Sequence, residues 1–303
     1  MPSSPRPGFW FVLPALLAIG LFFLVPLLGA LALSLTDFDI YALADPANLT
    51  FVGLRNYSRL VGEPRFRLAM FNTFYFAAVA GPLSVALSLG TALLINSRLT
   101  HGAKLFRTIF FLPVVTTLVA VAVVWRALYH PRYGLLNHAL ASLGIGPIDW
   151  LGDPAWAMPA IILMAVWKNF GFNMVIFLAG LQSIPPHLYE AAEIDGARGW
   201  QQFRHVTLPG LGPTFVFVAI ITMIGYLQLF AEPYVMTQGG PADRTLSMVL
   251  LMYEEGFRWW NLGTAAALAF LLFAVILLAS AAPALLRRLR GSNDTALAAS
   301  PHA

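Results

Sequence analysis

The sequence contains no cysteine, which excludes disulfides, thiolate nucleophiles and cysteine-built metal sites. It is also poor in charge: 11% of its 303 residues are Asp, Glu, Lys or Arg, against roughly 25% in an ordinary soluble domain. Lysine is rarest, at Lys104 and Lys168 only. No G-x-x-x-x-G-K-[ST] segment occurs, so the chain lacks the usual loop for binding and hydrolysing ATP, and it has neither H-E-x-x-H nor G-x-S-x-G. The six histidines (His101, His130, His138, His187, His205, His302) lie outside the apolar runs, and none is paired at ligand spacing. Glu254 and Glu255 are neighbours on a polar loop, where carboxylates are ordinarily just solvated. No catalysis, cofactor or metal is expected. The loops are too short to bury cores of their own, and no internal repeat of the kind found in inverted-repeat carriers is visible.

What the chain does have is apolar length. It is 59% hydrophobic with a mean hydropathy of +0.74, the composition of an integral membrane protein. Its net charge of +4 does not point to nucleic acid, because the bases are scattered among loops. Six runs reach the ~20 residues needed to cross a bilayer as helices: Phe9–Leu35, Leu68–Ile95, Thr108–Tyr129, Ala155–Leu181, Thr214–Met236 and Thr264–Leu286. The first is too long for the apolar core of a secretory signal, about 7–15 residues, and Pro14 and Pro26 are expected to kink it. The expected fold is all-α, with six transmembrane helices in one domain over residues 1–290 and a disordered tail at 291–303. Six crossings put both termini on one side, together with Arg6, Arg98, Lys104, Arg107, Arg198, Arg204, Arg287, Arg288 and Arg290. The Lys/Arg bias assigns that side to the cytoplasm.

Between the fourth and fifth runs lies a polar stretch, residues 183–213. Pro185 and Pro186 suit a helix start, and acidic Glu190 and Glu193 fall in the early turns, where the helix dipole favours them. Leu188, Ala191, Ala192 and Asp195 share one flank, and Gly196 is a natural terminator. A second short helix is expected at Trp200–His205, before Leu208-Pro209 breaks the chain. From physics alone this is an amphipathic helix pair at the membrane surface. The alanines and glycine make it slim enough for close approach by another protein.

The residues are more specific than that. Glu190-Ala191-Ala192, Asp195-Gly196-Ala197, Phe203, Leu208-Pro209 and Pro213 resemble the EAA motif of permease subunits in binding-protein-dependent ABC importers. Further segments resemble the carbohydrate branch of that family, the maltose F-type and glycerol-phosphate A-type subunits. They are Phe51-Val52-Gly53-Leu54-Arg55-Asn56-Tyr57, Asn72-Thr73, Thr237-Gln238-Gly239-Gly240-Pro241 with Thr245, then Tyr253, Phe257 and Gly263-Thr264-Ala265-Ala266. The maltose F-type subunit of enteric bacteria has extra N-terminal helices and a large periplasmic insertion, so this sequence is similar to the shorter six-helix form. The resemblance implies the type I ABC importer permease fold in a bacterial inner membrane. It also implies a second permease subunit, a dimer of cytoplasmic ATP-binding cassette ATPases, a periplasmic or lipid-anchored solute-binding protein and a sugar or oligosaccharide substrate. Residues Glu190, Ala191, Ala192, Asp195, Gly196 and Ala197 would form the coupling helix that docks on the ATPase. A glycerol 3-phosphate or glycerophosphodiester permease is the alternative within the family. A stand-alone ion-coupled carrier using Lys168 and Glu232 is the alternative outside it.

Polar groups inside apolar helices are costly and usually face a bundle interior or cavity. Asn169 and Asn173 share a face of the fourth run; in the fifth, Thr222 and Tyr226 share one face and Gln228 and Glu232 another. Amides and hydroxyls can bond sugar hydroxyls, and Tyr226 or Trp167 can stack on a sugar ring. The same residue types also hydrogen-bond between membrane helices, and the sequence leaves both uses open. Lys168 is the charge deepest in a run. Pairing with Glu232 and snorkelling toward a water-filled cavity are both open to it, although the run boundaries place the two residues at different depths.

Overall fold

The computed structural model describes residues 6–97 and 102–298; Arg98, His101 and His302 lie outside them. The first run folds as α1 (Arg6–Ile19) and α2 (Val25–Ser34), joined by a π-helical turn at Gly20–Leu24. Pro26 has no N–H to offer the carbonyl of Phe22 four residues back, and the wider turn just before it absorbs that loss. Three short polar-side helices follow or lead into the second run: α3 (Ile40–Ala44), α4 (Arg55–Gly62) and the first turns of α5 (Pro64–Asn96). Asp39 caps α3 by accepting the N–H groups of Tyr41 at 2.9 Å and Ala42 at 3.0 Å.

The third run is not one helix. It forms α6 (Ala103–Val115) and α7 (Leu118–Leu128), bent by 99° at the break. Here Thr116 turns back on the helix end, giving its hydroxyl to the Pro113 carbonyl at 2.6 Å. Local bonds of that kind compete with helix continuation. After α8 (Leu135–Ser142), the fourth run is a single helix, α9 (Ala157–Gln182). The polar stretch holds α10 (Pro186–Ile194), α11 (Gly199–Gln202), a π-helical turn at Phe203–Thr207 and α12 (Leu208–Gly210). The expected break at Leu208-Pro209 does not occur. The helical backbone runs on from Gly199 to Gly210, and the π-helical turn just before Pro209 absorbs its missing N–H, as the turn before Pro26 does.

The fifth run is also divided, into α13 (Gly212–Leu227) and α14 (Ala231–Met236). α15 (Met248–Tyr253) follows, and α16 (Leu262–Ala298) is the last described helix. α16 extends through Ala298 and so includes residues 291–298 of the stretch expected as a tail. Residues 11–34, 64–96, 157–182, 212–236 and 262–281 are each long and apolar enough to span a membrane, and the bent pair α6–α7 makes six if it counts as one.

Two compact units are formed. The first comprises residues 1–67 and 251–274. Its centre is the end of α2, where the resembling segment Phe51–Tyr57 collects. Asn56 donates its amide to the carbonyls of Ser34 (2.9 Å) and Thr36 (2.8 Å), and the Tyr57 and Ser34 hydroxyls lie 2.8 Å apart. The Ser34 carbonyl closes α2, whose last carbonyls have run out of helical N–H partners, and the Thr36 carbonyl lies just beyond the helix end. Gly263 gives its N–H to Phe38 at 2.8 Å, and a Cβ there would sit 2.3 Å from the Thr36 carbonyl oxygen. Glu254, 8% exposed, is paired with Arg65 at 2.9 Å and Arg258 at 3.4 Å.

The second unit comprises residues 68–250 and 275–303. It is built around α9, whose buried residues run from Ala157 to Leu181. One apolar cluster packs Ile161, Met164 and Ala165 of α9 against Phe76, Ala80 and Leu227; another packs Met174 and Phe177 against Val85, Leu211 and Val218. Two further resembling segments meet in this unit. Asn72, 4% exposed, gives its amide to the carbonyls of Asp243 (2.8 Å) and Leu246 (2.9 Å). Thr73 accepts the N–H of Met248 at 2.9 Å. The loop so held turns on Gln238, Gly239, Ala242 and Asp243, all with positive φ, and is cross-tied by the Thr237 and Thr245 hydroxyls at 2.6 Å.

Asn72→Leu should therefore destabilise the protein by about 2 kcal/mol, because one buried and one part-buried carbonyl lose their donor. Thermal unfolding of the detergent-solubilised variant would read this directly.

Candidate functional site

A cavity of about 490 Å³ lies in the second unit. Asn169, Asn173, Thr222, Tyr226 and Gln228, the five pathway residues expected from the sequence, all line it. Asn169 and Asn173 do so as predicted, from one face of α9. Thr222 with Tyr226 and Gln228 with Glu232 were expected on different faces of one helix, yet all four border the same space. The reason is the interruption at residues 228–230. Pro233 cannot donate to the Leu229 carbonyl four residues before it, and its ring crowds that carbonyl. Ser247 supplies the missing partner, its hydroxyl donating to Leu229 at 2.5 Å. With the helix broken there, α14 turns Glu232 toward the same cavity as the end of α13.

The polar lining is partly committed to packing. The Asn173 amide donates to the Thr222 hydroxyl at 2.8 Å, joining α9 to α13, so interhelical bonding accounts for this pair. Tyr226 stands edge-on to Phe76, with ring centroids 5.2 Å apart, and its hydroxyl is 3.5 Å from the Ala165 carbonyl. Trp167, the other stacking candidate, does not line the cavity; it packs against Trp125 at 5.5 Å. It leaves α9 in a different direction from Asn169 and Asn173. Phe76, Phe172, Val114 and Leu118 were missed as lining residues. Each belongs to an apolar run and carries no polar signal that would single it out. Lys168 is 8% exposed and does not line the cavity, which excludes snorkelling into it. Instead it lies within electrostatic reach of Glu232, because α14 packs back against α9.

The second site is α10 and its C-terminal turn. α10 has no buried residue, and Glu190 and Ala191 are exposed. Gly196 adopts φ +76°; its N–H bonds the Glu193 carbonyl at 3.0 Å, and the Ala197 N–H bonds the Ala192 carbonyl at 2.8 Å. This is the paired 6→1 and 5→2 closure that a left-handed residue permits after a helix. Leu188, Ala191, Ala192, Asp195, Gly196 and His205 border a shallow groove. Beside it, Ile194 is 87% exposed and Trp200 70% exposed. The Tyr189 and Thr207 hydroxyls, 3.0 Å apart, tie α10 to the following π-helical turn. The result is a slim, rigid helix end with large apolar side chains at its rim.

Residues 84–291 match the family described as "Binding-protein-dependent transport system inner membrane component". The chain is 39% identical over 256 residues to the lactose transport system permease protein LacF of Rhizobium radiobacter, covering 83% of this chain and 84% of that one. It is 37% identical over 273 residues to the trehalose/maltose transport system permease protein MalF of Thermococcus litoralis, covering 89% and 90%. Among solved structures, it superposes with a TM-score of 0.74 and 26% identity on a chain of a bacterial ABC transporter involved in the import of the acidic polysaccharide alginate, covering 92% and 94%. The helical order, the spans and these likenesses agree, and the chain belongs to the binding-protein-dependent transport system inner membrane components, multi-pass membrane proteins with the type I ABC permease fold.

Proposed function

We propose that this permease translocates a neutral sugar or oligosaccharide through the cavity between α9, α13 and α14. The observation that carries the reading is the lining itself: amides, hydroxyls and aromatic rings around about 490 Å³, room for a small saccharide. Asn169 and Gln228 bond sugar hydroxyls; Tyr226 and Phe76 present ring faces and edges to C–H groups. The names of the relatives, which include lactose and trehalose/maltose permeases, support a saccharide.

The chain carries no ATP-binding motif, so energy comes from a dimer of ATP-binding cassette subunits on the cytoplasmic side. The exposed Glu190–Ala197 turn docks on them, Glu190 making a charged contact while Ala191 and Ala192 allow close approach. A second permease completes the pathway, and a periplasmic or lipid-anchored binding protein delivers solute. In this reading the subunit sits in a bacterial inner membrane with both termini and α10 on the cytoplasmic side, which the Lys/Arg bias of the loops supports. A C-terminally tagged chain, isolated in mild detergent from its host, should bring down an ATPase and a second permease. The ATPase should be lost when residues 190–196 are replaced. Recovery of the chain alone would overturn the coupling role.

A further inference from the structure

The charges around the cavity are unequal. Glu232 is the single acidic lining residue, and none of the lining residues is Lys, Arg or His. It lies in the first turn of α14 and is 8% exposed. Lys168, the nearby cation, is equally buried but stands outside the lining. A solute in the cavity therefore has Glu232 in the wall around it, whereas Lys168 is outside that wall. Charges at the membrane interior are expensive, and one kept against a cavity is a functional group by default.

We propose that Glu232 is a specificity-determining residue that excludes anionic solutes from the translocation cavity while accepting hydrogen bonds from the hydroxyls of neutral sugars. The inference rests on the cavity being the solute site. A carboxylate accepts from two hydroxyls at once, the arrangement a vicinal diol offers. The same group repels a phosphate or carboxylate a few ångströms away, in surroundings where Coulomb forces are screened far less than in water. The glycerol 3-phosphate reading is thereby disfavoured, and a phosphorylated or uronate sugar would be rejected even when its neutral parent is carried.

The test uses the purified assembly of this chain with its second permease and ATPase, without binding protein. Saturation-transfer difference NMR would measure affinities for two matched pairs, trehalose with trehalose 6-phosphate and glucose with glucuronate. Wild type should prefer the neutral member by about tenfold or more. Glu232→Gln should shrink that ratio by about tenfold, whereas Glu232→Asp, which keeps the charge, should preserve it. Equal affinity of the wild-type assembly for both members of a pair would overturn the proposal without any variant, and so would an unchanged ratio in Glu232→Gln. Failure of every neutral sugar to bind would instead overturn the cavity's assignment as the solute site.

Discussion

Gly171→Ala should cost the protein more than any other one-carbon substitution in its membrane core. A Cβ built at Gly171 lies 2.0 Å from the carbonyl oxygen of Phe110 and 3.2 Å from the Cα of Phe111. Both are backbone atoms of α6, so no side chain can rotate out of the way. α6 must move off α9, and with it the tilted Phe110–Phe170 ring contact at 5.8 Å. Overpacking of this kind costs about 1–3 kcal/mol, and close approach through small residues is what holds membrane helices together. Because Val114 of α6 and Asn169, Phe172 and Asn173 of α9 all line the cavity, solute affinity should fall along with stability. Thermal unfolding in detergent and solute binding would both report it. Gly90→Ala in α5 is the control. Nothing lies within 4 Å of that Cβ, so the change should be neutral or stabilise by up to about 1 kcal/mol.

Gly196→Val should uncouple transport from ATP hydrolysis while leaving the subunit in the membrane. No atom lies within 4 Å of a Cβ at this position, so the effect is purely conformational. At φ +76° an L-residue pays about 1–2 kcal/mol, and a β-branched one more. The cheaper course is to leave the left-handed region, which breaks the Gly196–Glu193 and Ala197–Ala192 bonds and unwinds the end of α10. Reconstituted vesicles should then hydrolyse ATP with at least about tenfold less uptake per ATP, and Gly196→Asn, which tolerates the conformation, should recover most of the ratio. A variant that fails to insert would tell against a coupling role for this turn.

Much of this architecture was legible in the sequence, because a bilayer demands long apolar runs and a helix satisfies its own backbone within each of them. The fourth run matched its helix to within a few residues, and Pro186 and Gly196 bound α10 as their chemistry requires. The breaks in the third and fifth runs were not legible. Apolar composition continues straight across both, and the partners that make a break affordable lie far away in the chain. Pro233 was visible; Ser247, which takes over the Leu229 carbonyl, could not be connected to it from sequence. The same gap hid the convergence of Gln228 and Glu232 with Thr222 and Tyr226 on one cavity, and the proximity of Glu232 to Lys168. It also hid why Asn72-Thr73 and Thr237–Thr245 resemble the family together: one segment fastens the other.

That fastening has a consequence for how the protein is made. Asn72 and Leu246 are 174 residues apart in sequence, yet their bond anchors the loop whose Ser247 holds the broken fifth span open. A ribosome feeding the chain into the membrane delivers α5 and α9 long before that loop exists. Until residue 247 emerges, the Leu229 carbonyl at the break in the fifth span lacks the Ser247 hydroxyl that bonds it. The loop beyond α14 then locks onto a helix inserted near the beginning, so translation order makes this fastening a late event in the assembly of the second unit.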